Sequence, residues 1–272
     1  SDVCSSDLVT VSGRYTQAVG GVTVRTGGDL VRFPTREHFV MSITSPQFNT
    51  PDSDRFNASL LTHDVTRGGA PFVFNAARTG QLASAFTQAT IEHSALTVAA
   101  GLRYDAYSFL VEGTQLQPRI GVSLALPRTL GVVRASYNRN YQTPPNENLL
   151  LSSSPEAAAL APESVRRALG GSYRPIQPER QSVYEVGFRT VQLGATFDVA
   201  AYRKDSTDQQ DNNNFFNTGI IFPTALAGIR VEGAEFRLTL PRRRGLSGSW
   251  SATTGRAIST PPFTGGLFLG QD

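Results

Sequence analysis

The 272 residues include one cysteine, one methionine, one tryptophan and three histidines. A lone Cys4 excludes an internal disulfide framework and any thiolate metal cluster. No stretch of about 18 apolar residues occurs, which excludes a membrane-crossing helix. Charged residues make up only 17%, and the 25 Lys and Arg exceed the 22 Asp and Glu by too little to imply a nucleic-acid partner. With 39% hydrophobic residues over this length, global disorder and fibrous architectures are excluded as well. What the chain has in quantity is glycine (25), phenylalanine (16) and small polar residues, the composition of a β-rich protein.

The ends carry their own message. Ser1-Asp2-Val3-Cys4-Ser5-Ser6-Asp7-Leu8 resembles the translated end of a sequencing-library adapter, so residues 1–8 are expected to be an artefact rather than part of the fold. Without Asp2 and Asp7 the net charge rises from +3 to +5. The chain starts without Met or a signal peptide and stops at Gly270-Gln271-Asp272 in mid-pattern, as expected for a fragment of a longer protein.

Alternation with a period of two recurs along the chain. Leu96, Val98, Ala100, Leu102, Tyr104 and Ala106 share one face of a strand whose other face holds Thr97, Arg103, Asp105 and Tyr107. Ile120, Val122, Leu124 and Leu126 oppose Arg119, Gly121 and Ser123; Val133, Ala135, Tyr137 and Tyr141 oppose Arg134, Ser136, Asn138 and Asn140. Tyr184, Val186 and Phe188 oppose Glu185 and Arg189; Leu193, Ala195, Phe197, Val199 and Ala201 oppose Gly194, Asp198 and Lys204; Ala234, Phe236, Leu238 and Leu240 oppose Glu235 and Arg237. Further strands at 9–17, 22–33, 82–92 and 246–257 bring the total to about ten. Short links near 18–21, 93–95, 127–130, 191–192 and 241–245 alternate with long ones near 34–81, 109–117, 142–180, 207–227 and from 258 onward. The long links hold the turn formers Thr50-Pro51-Asp52, Pro144-Pro145-Asn146 and Asp211-Asn212-Asn213-Asn214. Antiparallel neighbours then place all tight turns on one rim and all long loops on the other.

These strands run to about 9–14 residues, against a globular mode of about 5–6, and a tilted membrane-crossing strand needs about 9–11. The second face, with Arg103, Asp105, Arg119, Arg134, Glu185, Arg189, Glu235 and Arg237, is too polar for a sandwich core. An outer-membrane barrel reverses the soluble pattern, with apolar residues meeting lipid and polar residues lining the lumen. The fold class expected is therefore all-β: an antiparallel up-and-down transmembrane β-barrel, incomplete, of about ten strands. Val98, Leu124, Phe197 and Phe236 should face outward. Tyr104, Tyr107, Tyr137, Tyr141, Tyr184 and Tyr202 cluster toward the long-loop ends, as an interfacial aromatic girdle would.

Five segments resemble, in order, the barrel of TonB-dependent outer-membrane receptors. They are Gly101-Leu102-Arg103-Tyr104-Asp105, Pro118-Arg119-Ile120-Gly121, Tyr141-Gln142-Thr143-Pro144, Pro178-Glu179 through Tyr184-Glu185-Val186-Gly187, and Gly233-Ala234-Glu235 with its preceding Gly228 to Glu232. The match spans 96–240, with 9–95 fitting more loosely. The resemblance implies a plugged barrel of about 22 strands in the Gram-negative outer membrane, one that binds a scarce small or oligomeric solute through its loops. Import would draw energy from the TonB complex through a plug domain. Residues 9–272 would be the partial barrel, since the sequence holds neither plug nor TonB box. Lipid, the solute and, through the plug, the TonB complex are the partners implied; a porin or adhesin barrel without TonB coupling is the alternative, and a soluble β-sandwich enzyme or carbohydrate-binding module a more distant one.

No catalytic, cofactor or metal site emerges. His38, His63 and His93 lack zinc-site spacing and read as solvated residues, the first two in the first long loop and the third on a short turn. No Gly-x-Ser-x-Gly elbow exists, and Gly20-Gly21, Gly27-Gly28 and Gly68-Gly69 open no helix. Asp205 to Asp211 lacks the twelve-residue calcium-loop pattern and reads as an outer loop. Arg242-Arg243-Arg244 sits in a short turn where it could meet anionic headgroups. Ala157 to Leu169 reads as a short helix within a long loop. The loops 34–81, 142–180 and 207–227 form the candidate recognition surface, with the contacting residues unknown. Ligand chemistry stays open among iron chelates, vitamins and glycans, the net charge of +5 leaning toward an anion.

Overall fold

A computed structural model describes residues 8–52, 56–127, 130–145, 148–160, 175–214, 221–243 and 245–265. Of the adapter-like octapeptide only Leu8 lies among them; Arg244, Asn146 and the 161–169 part of the expected helix lie outside. Ten strands form one antiparallel sheet in sequence order: β1 (Val9–Val19), β2 (Val22–Met41), β3 (Phe72–His93), β4 (Leu96–Ser108), β5 (Glu112–Leu126), β6 (Gly131–Gln142), β7 (Glu179–Gln192), β8 (Ala195–Asn214), β9 (Ile221–Arg243) and β10 (Leu246–Gly265). Two helices of four residues each, α1 (Leu149–Ser152) and α2 (Pro155–Ala158), lie between β6 and β7, and 3-10 turns at Ala58–His63 and Val65–Arg67 lie between β2 and β3.

The register turns the alternation into two surfaces. One lateral row reads Val22, Ile91, Val98, Val122, Ala135, Val186, Ala201, Ala234 and Thr254 from β2 to β10. The adjacent row, on the opposite face, reads Thr23, Thr90, Ala99, Gly121, Ser136, Glu185, Tyr202, Gly233 and Gly255. Apart from Thr254 the first row is aliphatic, and much of it is exposed, Val186 at 53%. Val98, Leu124, Phe197 and Phe236 belong to this face and none enters the buried cluster, as the alternation requires. Such a surface is stable only when hydrocarbon covers it.

Curvature follows from α1, which lies against both β3 and β9. These strands stand six apart in the sheet, and at about 4.8 Å per strand a flat sheet would separate them by roughly 29 Å. The sheet therefore curls around α1, and the polar row lines its concave side. Buried apolar residues gather at the loop-side end of this concavity: Phe33, Phe39, Phe72, Phe74, Tyr107, Phe109, Leu149, Leu150, Leu151 and Ile176. There Phe33 lies across Gly80, its register partner, in space that a Cβ would occupy.

Several boundaries differ from the sequence reading. β2 continues to Met41, β3 begins at Phe72 and β5 begins at Glu112, so the long connection expected at 109–117 shrinks to 109–111. β8 and β9 likewise run through most of 207–227, and the Asp205 to Asp211 stretch is strand rather than loop. The rule of tight turns on one rim holds, but the opposite rim mixes long and short connections. Leu193 is no strand residue. It occupies the β7–β8 turn with Gly194, at φ of 54° and 83°.

The tyrosines divide as well. Tyr104 and Tyr184 are exposed on the outer face, and Tyr137 packs on Tyr184 with ring centroids 5.0 Å apart. Tyr107 instead is buried on the concave side, stacked on Phe33 at 6.1 Å. Tyr202 sits in the polar row against Gly233, and Tyr141 is half-buried beneath the Arg180 guanidinium. The girdle is thus three of the six. An odd residue count along β4 from Tyr104 to Tyr107 suffices to send the second ring to the opposite face.

Candidate functional site

The concave wall concentrates hydrogen-bonding groups where β4, β5, β6 and β7 leave the bilayer. Arg103 and Asp105 are two apart on β4 and therefore share its inner face; Arg103 Nε donates to both carboxylate oxygens at 2.9 and 3.0 Å. Gln117 on β5 donates to the same carboxylate through Nε2 and accepts from the Tyr141 backbone N–H at 3.1 Å through Oε1. Asp105 and Gln117 are both buried, so their partners hold them in fixed positions. A second knot surrounds Glu179 at the start of β7. It accepts from Gln181 Nε2 at 2.6 Å and from the Gln210 N–H at 3.4 Å, and Lys204 Nζ stands 3.7 Å away. Gln210 in turn donates to the Gln142 carbonyl at 3.3 Å.

A cavity of about 490 Å³ opens beside these groups, lined by Arg103, Asp105, Gln117, Arg119, Asn140, Gln142 and Gln181, with Leu82 and Tyr141 supplying apolar surface. Its volume falls within the range of about 300–1,000 Å³ of small-molecule sites. Arg119 lines the cavity and, among the described residues, forms no salt bridge with a carboxylate. Lower on the same wall, Arg134 joins Asp198 at 2.8 Å and Glu185 at 3.3 Å.

The two loops beyond are tied to the wall and to each other. The buried Glu37 carboxylate accepts from the N–H groups of Leu150 and Leu151 at 2.9 and 2.8 Å, fastening α1 inside the mouth. β2 has twenty residues, about twice what the bilayer needs, so Glu37 stands beyond the membrane. Burial pushes its pKa up, partly offset by those backbone N–H groups. Asn57 donates to the Leu160 carbonyl at 2.5 Å, while Asn49 and Asn57 exchange hydrogen bonds at 2.8 and 2.9 Å. The β2–β3 and β6–β7 loops are thereby one unit.

The structure keeps the three histidines apart. His38 lies within β2, bonded at 2.9 Å to Asn75 of β3, rather than in a loop. His63 lies in the β2–β3 loop with Nδ1 3.0 Å from the Ala70 carbonyl, and His93 closes β3. Asp205 pairs with Arg203 and Arg230 across β8 and β9. Arg242 and Arg243 are the last two residues of β9, on the short-turn rim, rather than turn residues. Gln115 and Gln117 fell in a stretch read as loop, and nothing in the sequence marked Glu37. Three consecutive leucines at 149–151, out of place in a solvated loop, were the available signal for a buried segment.

Comparison with known proteins agrees with this architecture. A family model described as TonB dependent receptor-like, beta-barrel, matches residues 6–271. The siderophore receptor PirA from Pseudomonas aeruginosa is similar in structure with 17% identity and a TM-score of 0.60 over 92% of this chain and 40% of that one. The copper transporter OprC gives 14% and 0.62 over 93% and 37%, and the FrpB iron transporter from Neisseria meningitidis 14% and 0.60 over 93% and 36%. At such identities the likeness is one of fold, and the chain spans about two-fifths of these relatives' length. No curated protein matches the sequence.

Proposed function

The chain belongs to the TonB-dependent receptor-like β-barrel family, and on that premise we propose that it is part of a receptor that captures a scarce metal chelate and imports it with TonB-derived energy. The family places it in the Gram-negative outer membrane and among receptors and transporters rather than enzymes. The remaining strands and the plug that contacts TonB belong, in this reading, to parts of the receptor outside these 272 residues. The observation that carries it is the polar cavity under a fastened loop roof. Its fixed Asp105–Gln117 pair and uncompensated Arg119 suit an anionic, oxygen-rich solute. Solved relatives described as siderophore, iron and copper proteins favour a metal-bearing one. The roof also disfavours a general porin, because α1 occupies the space that diffusing solutes would need.

The test is uptake of a labelled ferric catecholate chelate by cells carrying the complete receptor. Uptake should vanish in a strain lacking the TonB complex, and Arg119→Ala should weaken chelate binding roughly ten- to a hundredfold, the effect of one hydrogen bond to a charged group. Uptake that persists without TonB would instead identify a passive pore.

A further inference from the structure

A single carboxyl group joins the wall of β2 to the roof segment α1, and its surroundings are apolar. Glu37 is 4% exposed, and its two oxygens accept from Leu150 and Leu151 at 2.9 and 2.8 Å. Those leucines and Leu149 belong to one buried cluster with Phe33, Phe39, Phe72 and Phe74. Removing a carboxylate from water into such a setting is costly unless a cation or several hydrogen bonds compensate it.

Among the described residues no cation does so. Burial raises the Glu37 pKa, and the N–H groups of Leu150, Leu151 and Leu149 are what oppose it. On β3, Ala76 stands opposite Glu37, and Arg78 two residues further on is exposed. Arg36 and His38 flank Glu37 on β2 and point outward, His38 bonded to Asn75. In the β2–β3 loop His63 meets the Ala70 carbonyl and the Phe72 ring, while Asp64 holds Thr66 and pairs with Arg67. Tyr107 of β4 stacks on Phe33. α1 has no titratable side chain, Glu156 of α2 is exposed, and β9, which also meets α1, has none from Ile221 to Gly228.

We propose that Glu37 is a proton-operated catch: protonated, it holds α1 in the mouth, and ionised, it favours release of α1, so the pH at the mouth governs how often the roof opens. Neutral, the carboxyl still accepts from the roof and buries no charge; once α1 lifts, water solvates the ionised form. One proton linked to opening raises the open fraction by up to about tenfold per pH unit above 4.5, levelling off beyond the raised pKa. As a control on access to the cavity, the catch rests on the reading of that cavity as a solute site; its motion needs no solute.

The experiment follows amide hydrogen exchange of the complete receptor in lipid nanodiscs, without solute, from about pH 4 to about pH 8. Protection at Leu150 and Leu151, corrected for the intrinsic exchange rate at each pH, reads opening of the roof, with Val98 to Leu102 of β4 as the reference. Wild-type protection at the two leucines should fall as pH rises past 4.5 while the reference holds. Glu37→Gln cannot ionise and should give a flat profile; Glu37→Ala should exchange at least about tenfold faster than the wild type at low pH. Should Glu37→Ala fail to fold, the Glu37→Gln profile decides. A wild-type profile independent of pH overturns the proposal, as does a fall that persists in Glu37→Gln. A fall abolished instead by His38→Gln or His63→Gln assigns the response to a histidine and overturns it too. A pH-dependent roof in a receptor that binds no chelate upholds the catch and removes only the solute reading.

Discussion

At the residue scale, Leu193 and Glu37 each hold a position that their chemistry opposes. Leu193 takes a positive φ in a two-residue hairpin, a conformation in which Asn and Gly are favoured and a branched apolar side chain is strained. Leu193→Asn should stabilise the complete receptor by about 1 kcal/mol, read as an upward shift of its unfolding midpoint in lipid vesicles. Glu37 is a buried acid whose pKa is raised, so the fold favours its protonated form. The stability it contributes is full below the ordinary value of 4.5 and is lost as pH rises through the raised one. Glu37→Gln keeps an acceptor for Leu150 or Leu151 and should flatten that fall, seen as a melting temperature less dependent on pH above 4.5. Glu37→Ala should cost about 1–3 kcal/mol by leaving two buried N–H groups unsatisfied, and hydrogen exchange at Leu150 and Leu151 should accelerate.

At the scale of the element, the alternating strands make a directional claim. Val122→Arg puts a charge into lipid near the middle of β5 and should cost about 2–4 kcal/mol. Ser136→Arg, one row away on the concave side and beside Glu185, should cost far less. Urea titration of the complete receptor in vesicles measures both, and equal penalties would contradict the assignment of faces. The same physics explains which parts of the strands were legible in the sequence. Where lipid bathes one side, as in Leu96 to Leu102 or Ile120 to Leu126, alternation is strict and both strand and face were evident. Beyond the bilayer the outer side meets water and the inner side meets packed loops, so Phe33, Thr35, Glu37 and Phe39 point inward while Arg36 and His38 point outward. Polarity no longer reports orientation there, and those strand extensions read as loop. Gln115 and Gln117 were lost for that reason, and the cavity with them.

For the molecule as a whole, an aliphatic exterior and a polar interior leave the membrane-spanning part of the sheet, among the described residues, without a dry core to hold it together in water. The buried cluster is confined to the loop-side end, and β1 and β10 each have one strand neighbour among the described residues. Purified without detergent, the 272-residue chain should associate through these edges and its greasy face; sedimentation showing a folded monomer in plain buffer would contradict the membrane reading. The wall, its faces and its strand order could be anticipated from pattern alone. The roof could not, since its fastening depends on Glu37 meeting Leu150 and Leu151 across 113 and 114 residues of chain.

Because each described strand pairs with its neighbours in sequence, the meander can grow hairpin by hairpin, and the long connections add to loop-closure entropy only as the logarithm of their length. The strut from α1 to β3 and β9 has no such freedom: it must wait until β9 is laid down. Without β9 the strut has one wall instead of two, and nothing at the mouth sets the width of the trough.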